Sequence, residues 1–255
     1  MNLDFSLDRS VLICARRAAV FRYFTDSKRF AAWWGEGSTI DPRVGGKVRI
    51  VYPGGSVASG EVLEIDEPSR VVFTYGYEDP SRPIPPGGSR VTIALEDAPG
   101  GTRVSLRHDV ADPGVREMHV PGWRYQLSIF ANVVAREAHA GAAAIVDRYF
   151  AAWSEKDAGA RERTLEESVM DGVVFRDAFG AIEGRTELGA HIGAIQVHMP
   201  GVALLRDGEP LLCQGTALVR WIAKTGEGVE RGRGRSAIDF SADGRVARAV
   251  GFWET

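Results

Sequence analysis

At the start of the chain Leu3, Phe5, Leu7, Val11 and Ile13 share one parity while Asp4, Ser6 and Asp8 take the other, an alternation that predicts a half-buried strand. A helix over residues 16–30 follows, and Trp33-Trp34-Gly35 ends it. Next come short apolar runs broken by Gly45-Gly46, Pro53-Gly54-Gly55, Glu67-Pro68 and Pro99-Gly100-Gly101, which are hairpin signals and favour an antiparallel meander. The segment 78–88 carries too many prolines for a strand and reads as a mobile loop over the sheet. Parity puts Phe73, Tyr75 and Tyr77 on one face, with Val91, Ile93 and Leu95, and with Val104, Leu106 and His108. Such a face needs a cover. A helix over residues 122–138 supplies it, because Trp123, Leu127, Phe130 and Val134 fall on one side of a 3.6-residue period.

The pattern changes at His139-Ala140-Gly141. A second amphipathic helix begins there, with Ile145, Tyr149 and Trp153 on its apolar side. Further helical stretches are expected around residues 160–169 and 185–198, with a strand over 173–178 between them. Strands close the chain: 200–206, a long one over 211–223, and a last hairpin turned at Asp243-Gly244. Strands dominate before the seam; after it helices come first and strands last. The expected architecture is therefore α+β in two domains, residues 1–138 and 142–255.

Composition narrows the partners. A net charge of −3 gives no electrostatic reason to expect nucleic acid or an anionic membrane. The one basic run, Arg231-Gly232-Arg233-Gly234-Arg235, reads as a strand with its arginines outward, pairing with Asp239 or lining a subunit contact, and its glycines leaving room inside. Cys14 and Cys213 lie far apart and outside any C-x-x-C pair, so neither a disulfide framework nor a zinc site is expected. His191 and His198 could share a helix face, but no metal-binding spacing accompanies them, and no phosphate loop or nucleophile elbow occurs; no cofactor is expected. The N-terminus lacks the regions of a signal peptide and no apolar run reaches membrane-spanning length, which makes the cytoplasm the expected location.

Several stretches of the first half resemble a known family: Phe24-Thr25-Asp26, Trp33-Trp34-Gly35, Asp41-Pro42-Arg43-Val44-Gly45-Gly46, Gly60-Glu61-Val62-Leu63-Glu64-Ile65, Gly101-Thr102 and Gly122-Trp123. Together they look like the Hsp90-ATPase-activator-homologue branch of the START-like (SRPBCC) helix-grip proteins. The resemblance implies a cavity between sheet and long helix that takes an apolar small molecule, without a shared catalytic set. Trp33, Trp34, Tyr75 and Trp123 are the candidate lining, and His108 is the ionisable group that parity turns inward, as a ligand contact or as a core histidine bonded to a neighbour.

The second half resembles the NTF2-like (SnoaL-like, ketosteroid-isomerase-like) cone fold. The likeness rests on residues 145–153, on Val173-Val174-Phe175-Arg176-Asp177-Ala178-Phe179-Gly180, on Glu183-Gly184-Arg185, and on 240–246 followed by Phe252-Trp253-Glu254. In the ketosteroid isomerase branch a first-helix tyrosine holds an enolate oxygen, an aspartate after the first strand moves the proton, and a protonated acid shares the oxyanion. Tyr149 matches the first and Asp177 the second; the third position falls on Ser236, a hydroxyl rather than an acid. A carboxylate at the mouth of an apolar cone is desolvated, which makes it a better base. The plainer alternatives are that Asp177 caps the strand end or pairs with Arg176 or Arg185, and that Tyr149 is a core residue bonded to Asp177. Trp153, Trp221 and His198 are further candidate ligand contacts.

The leading expectation is a homodimeric protein that binds small hydrophobic molecules in two separate cavities. The alternatives are an isomerase- or cyclase-type enzyme using Asp177 as general base with Tyr149 and Ser236 at the oxyanion, and a cochaperone-like interaction protein.

Overall fold

The computed structural model describes residues 2–254. Its contacts divide the chain into two compact units, Met1–Ala135 and Arg136–Thr255, each with its own hydrophobic core.

The first unit opens with β1 (Phe5–Ile13) and then α1 (Arg17–Phe21), a 3₁₀ turn over residues 22–24, and α2 (Ser27–Trp34). The single helix expected over 16–30 is thus two. Asp26 breaks it: its carboxylate accepts from Arg29 N at 3.0 Å, starting α2 afresh with an N-cap. There follow β2 (Thr39–Ile40), β3 (Lys47–Val51), β4 (Val57–Asp66), β5 (Arg70–Tyr75), β6 (Ser89–Ala98) and β7 (Gly101–Val110). They form an antiparallel sheet in the order β1-β7-β6-β5-β4-β3-β2, a meander whose first strand returns to pair with the last. Phe73, Tyr75, Val91, Ile93, Leu95, Val104, Leu106 and His108 are all buried, as their parity requires.

The covering helix α3 runs from Pro113 to Ala138, beginning nine residues before the expected start at Gly122. Asp112 explains the earlier start: its side chain accepts from Val115 N at 3.0 Å, and proline is well tolerated in a helix's first turn. Pro121 sits inside the helix nonetheless, where it removes one backbone donor. Trp123, Leu127, Phe130 and Val134 are buried in the same core as the sheet's inner face. The proline-rich segment 78–88 is no strand, but neither does it hang free over the sheet. Ile84 is buried in that core and its carbonyl accepts from Tyr77 N at 2.7 Å.

The second unit comprises α4 (Ala142–Ala152), α5 (Ala158–Ser168), β8 (Val169–Arg176), β9 (Ala181–Glu183), α6 (Arg185–His198), β10 (Ala203–Arg206), β11 (Leu211–Cys213), β12 (Thr216–Lys224), β13 (Glu230–Phe240) and β14 (Val246–Trp253). The strand expected over 211–223 is divided, because Gln214 and Gly215 take positive φ (48° and 87°) and turn β11 back onto β12. Sheet order is β10-β12-β13-β14-β8-β9, antiparallel apart from the parallel pair β14–β8. Val146, Tyr149 and Phe150 of α4 are buried against it.

On β13 the arginines do face outward, though Asp239 is not their partner. Arg233 pairs with Glu230 and Arg235 with Glu254, while Asp239 accepts from Thr216 and Arg248. Nor do the inward glycines leave an empty space. A Cβ on Gly234 would lie 2.4 Å from Trp221 Cζ2, and one on Gly232 would lie 2.8 Å from Trp253 Cζ3, so two indoles occupy the room. Among the described residues no single helix is long and apolar enough to cross a membrane.

Candidate functional site

An aromatic cavity of about 400 Å³ belongs to the first unit, bordered by the end of α2, the end of β5 and the middle of α3. Gly35 (φ 147°) ends α2 against β3, in a place where a Cβ would stand 2.3 Å from Val51 O. That close approach sets Trp34 beside Tyr52, their ring centroids 5.8 Å apart. The walls are aromatic: Trp33, Trp34, Tyr52, Tyr75, Tyr77 and Trp123, with Tyr125, Gln126 and His119. No carboxylate, lysine or arginine lines it. The indole N–H groups of Trp33 and Trp34 are buried without a hydrogen-bond partner. Gln126 is held by its amide N–H bond to the Trp33 carbonyl, which leaves its own carbonyl oxygen uncommitted.

Four of the expected residues, Trp33, Trp34, Tyr75 and Trp123, meet in this cavity; His108 does not. It lies behind the wall, fully buried and fully engaged. Trp123 Nε1–H can only donate, so His108 Nδ1 accepts at 3.0 Å and the ring proton sits on Nε2, which donates to Ser89 Oγ at 2.8 Å. Ser89 Oγ passes its own proton to the Tyr75 carbonyl, also at 2.8 Å. Burial, with the nearby His119 adding to it, drives the His108 pKa down to about 3, so the ring is neutral and has no polar atom left for a ligand. Parity put this histidine on the correct face without revealing that a neighbour in sequence space 15 residues away takes its free nitrogen.

The histidine that does reach the cavity is His119, which sequence reading missed because it lies before the expected start of the helix. Its Nδ1–H donates to the Val115 carbonyl at 2.8 Å, so Nε2 is the acceptor for the Tyr77 hydroxyl at 3.4 Å. Desolvation lowers its pKa, against the pull of the Val115 bond. Tyr52 and Tyr75 share one hydrogen bond between their hydroxyls, 2.7 Å long. Burial raises both phenols well above their ordinary range and keeps them protonated. Either hydroxyl can be the donor in that bond; with Tyr75 donating, the Tyr52 proton is left to a ligand.

The second unit's cavity is lined by Tyr149, Trp153, Phe175, Asp177, Gln196, Trp221, Ser236, Gly251 and Trp253, among others. Its volume is about 60 Å³, room for a few water molecules, whereas drug-sized ligands occupy pockets of roughly 300–1,000 Å³. The indoles over Gly232 and Gly234 account for the small volume. Asp177, Tyr149, Ser236, Trp153 and Trp221 come together here. His198 does not, being exposed at the end of α6; Gln196, two residues earlier and turned inward, lines the cavity instead and bonds to the Trp153 and Glu155 carbonyls.

Gly251 separates the two polar candidates: its Cβ would stand 3.4 Å from Asp177 Cβ and 3.8 Å from Ser236 Oγ. Ser236 accepts from Trp221 Nε1 at 3.0 Å, leaving its own proton to donate. Asp177 Oδ1 takes the backbone N–H groups of Phe179 and Gly180, at 2.8 and 2.9 Å, in a turn just past β8. Those bonds orient the carboxylate and leave Oδ2 uncommitted. Tyr149 makes no hydrogen bond to Asp177, contrary to the plainer reading of that pair; burial lifts its hydroxyl well above the ordinary phenol range, opposed by the Trp153 indole and aided by the Asp177 charge. Among the described residues no group of three histidine, cysteine or acidic side chains is arranged to hold a metal.

Residues 15–135 match the model of the family described as Activator of Hsp90 ATPase homolog 1-like protein. A putative isomerase of the SnoaL-like family from Agrobacterium tumefaciens is 23% identical, with 47% of this chain and 99% of that one covered and a TM-score of 0.43. A protein from Mesorhizobium loti is 19% identical, with 52% and 98% covered and a TM-score of 0.46. No curated protein matches the chain. By the order and pairing of its elements the chain joins two α+β folds: a START-like helix-grip unit, similar over residues 15–135 to the Hsp90-ATPase-activator-homologue family, and after it an NTF2-like unit.

Proposed function

We propose that the protein binds a small hydrophobic molecule in the cavity of its first unit. The observation that carries this reading is the hollow of about 400 Å³ walled by Trp33, Trp34, Tyr52, Tyr75, Tyr77 and Trp123. Planar rings offer large apolar contact at little conformational cost, and the few polar atoms among them set orientation. The test is calorimetric titration of the full chain with naphthalene-ring probes, alongside Gly122→Leu. Gly122 lines the cavity and has open space at its Cβ position, so leucine fills volume there and also favours the helix. Saturable binding that weakens about tenfold or more in Gly122→Leu, for roughly one leucine's worth of lost contact, supports the reading. Absence of saturable binding, or equal binding by the variant, refutes it.

A second reading concerns the second unit: proton transfer next to a carbonyl, with Asp177 as base and Tyr149 and Ser236 as oxyanion donors. What favours it is that all three line one cavity, with Asp177 Oδ2 and the Ser236 proton both unspent. The volume of about 60 Å³ restricts this to a ketone of a few carbons. Deuterium exchange beside the carbonyl of such a ketone, followed by NMR, should fall by about a hundredfold or more in Asp177→Asn. No exchange above buffer with the unaltered chain would dispose of the idea.

A further inference from the structure

No charged side chain lines the aromatic cavity, yet one stands at its rim. Arg82, on the segment between β5 and β6, holds its guanidinium 4.5 Å from the centre of the Tyr77 ring. Tyr77 is itself part of the cavity wall. The arginine is exposed and, among the described residues, makes no ion pair. Asp79 of the same loop accepts from Ser81 N at 2.9 Å; its charge and that of Arg82 attract each other, but the two form no ion pair at contact distance. The segment is not free to carry Arg82 away, for Ile84 is buried in the core two residues on and Tyr77 N bonds to its carbonyl.

Beneath Arg82 the polar atoms of the cavity have a definite sense. Tyr77 gives its proton to His119, whose other nitrogen is occupied by Val115. With Tyr75 donating to Tyr52, the Tyr52 O–H is left to donate. The charge of Arg82 is felt inside, where it depresses the pKa of both His119 and Tyr52. A donated hydroxyl proton and an unpaired cation at one end of an apolar slot are complementary to an anionic oxygen. An ammonium there would meet like charge.

We infer that the ligand of the first unit is an aromatic carboxylate, or a planar molecule with an equivalent anionic oxygen, its rings among Trp33, Trp34 and Trp123 and its charge at the Tyr52–Tyr75–Tyr77 end under Arg82. This rests on the binding function proposed for the same cavity. The carboxylate lies toward the rim, where water still reaches it, so the guanidinium need not offset a full burial cost.

Three probes on one skeleton test it by calorimetry with the full chain: 2-naphthoate, 2-naphthalenemethanol and 2-naphthylmethylammonium. A single partly solvated charge pair is expected to make naphthoate bind about tenfold tighter than the alcohol, with the ammonium weakest, and added salt should narrow the gap. Arg82→Gln should weaken naphthoate about tenfold and leave the alcohol within about twofold; Arg82→Lys should keep most of the preference. Because Arg82 is exposed, neither variant is expected to disturb folding. Alcohol binding as tight as naphthoate, or an Arg82→Gln loss equal for both, overturns this inference and leaves the cavity's binding function standing. Failure of all three probes overturns both.

Discussion

Gly234→Ala is expected to destabilise the second unit by roughly 3 kcal/mol, the cost of forcing one carbon into a filled core together with one lost buried hydrogen bond. The added Cβ would lie 2.1 Å from the Phe252 carbonyl oxygen and 2.4 Å from the Trp221 ring. The backbone oxygen belongs to β14 and cannot yield without breaking the register in which Gly234 faces Trp253. Trp221 must then move, and its indole N–H loses Ser236. In calorimetry on the full chain a transition should fall by about 10 °C for a unit of this size. Gly226→Ala is the control, since nothing lies within 4 Å of its Cβ position. Equal melting of the two variants would mean that Trp221 does not fill the space over Gly234. A functional consequence follows from the same geometry. Trp221 also closes the second cavity, so a variant that displaces it without unfolding the chain should enlarge that cavity and admit larger probes.

Acid should weaken the first unit earlier than its carboxylates explain. The His108 pKa lies near 3 in the folded chain and near 6.5 when unfolded, so between these values the unfolded state binds the proton and the folded state does not. The neutral ring's contribution is therefore fully present above pH 6.5 and is lost as pH falls toward 3, some 5 kcal/mol over the whole window at 1.36 kcal/mol per pH unit. His119, lowered as well, acts in the same direction. From pH 6.5 to 5, where few carboxylates titrate, the unfolding free energy measured in urea should drop by roughly 2 kcal/mol. His108→Gln should be less stable at neutral pH and flatter across that interval. An unchanged slope in His108→Gln would assign the acid sensitivity to other groups.

Much of this architecture can be read residue by residue. The inner face of the sheet followed from alternation at residues 73–77, 91–95 and 104–108, and the buried stripe of α3 from the spacing of Trp123, Leu127, Phe130 and Val134. Both are local periodicities, imposed on any chain that must bury one side of an element. The division of residues 16–34 at Asp26, the early start of α3 at Pro113 and the break at Gln214-Gly215 depend on single capping or turn side chains, which a periodicity averages away. Site residues followed the same rule. Trp33, Trp34 and Trp123 could be nominated because they are large and apolar on the covered face, while His119 was hidden by the misplaced helix start and His198 was preferred to Gln196 although its side of α6 faces solvent.

By itself the sequence determined the two-part α+β plan, the strand faces, the helix stripes and the residue types that would crowd each interior, because these are set by the order of apolar and polar positions along the backbone. Which interior stayed hollow was decided only by the tertiary structure. In the second unit Trp221 and Trp253 fill the space over the glycines of β13; in the first, Gly35 brings α2 against β3 and leaves an aromatic-walled opening. Filling and hollowness depend on side chains from distant strands meeting at distances of a few ångströms, and no one-dimensional pattern carries those distances.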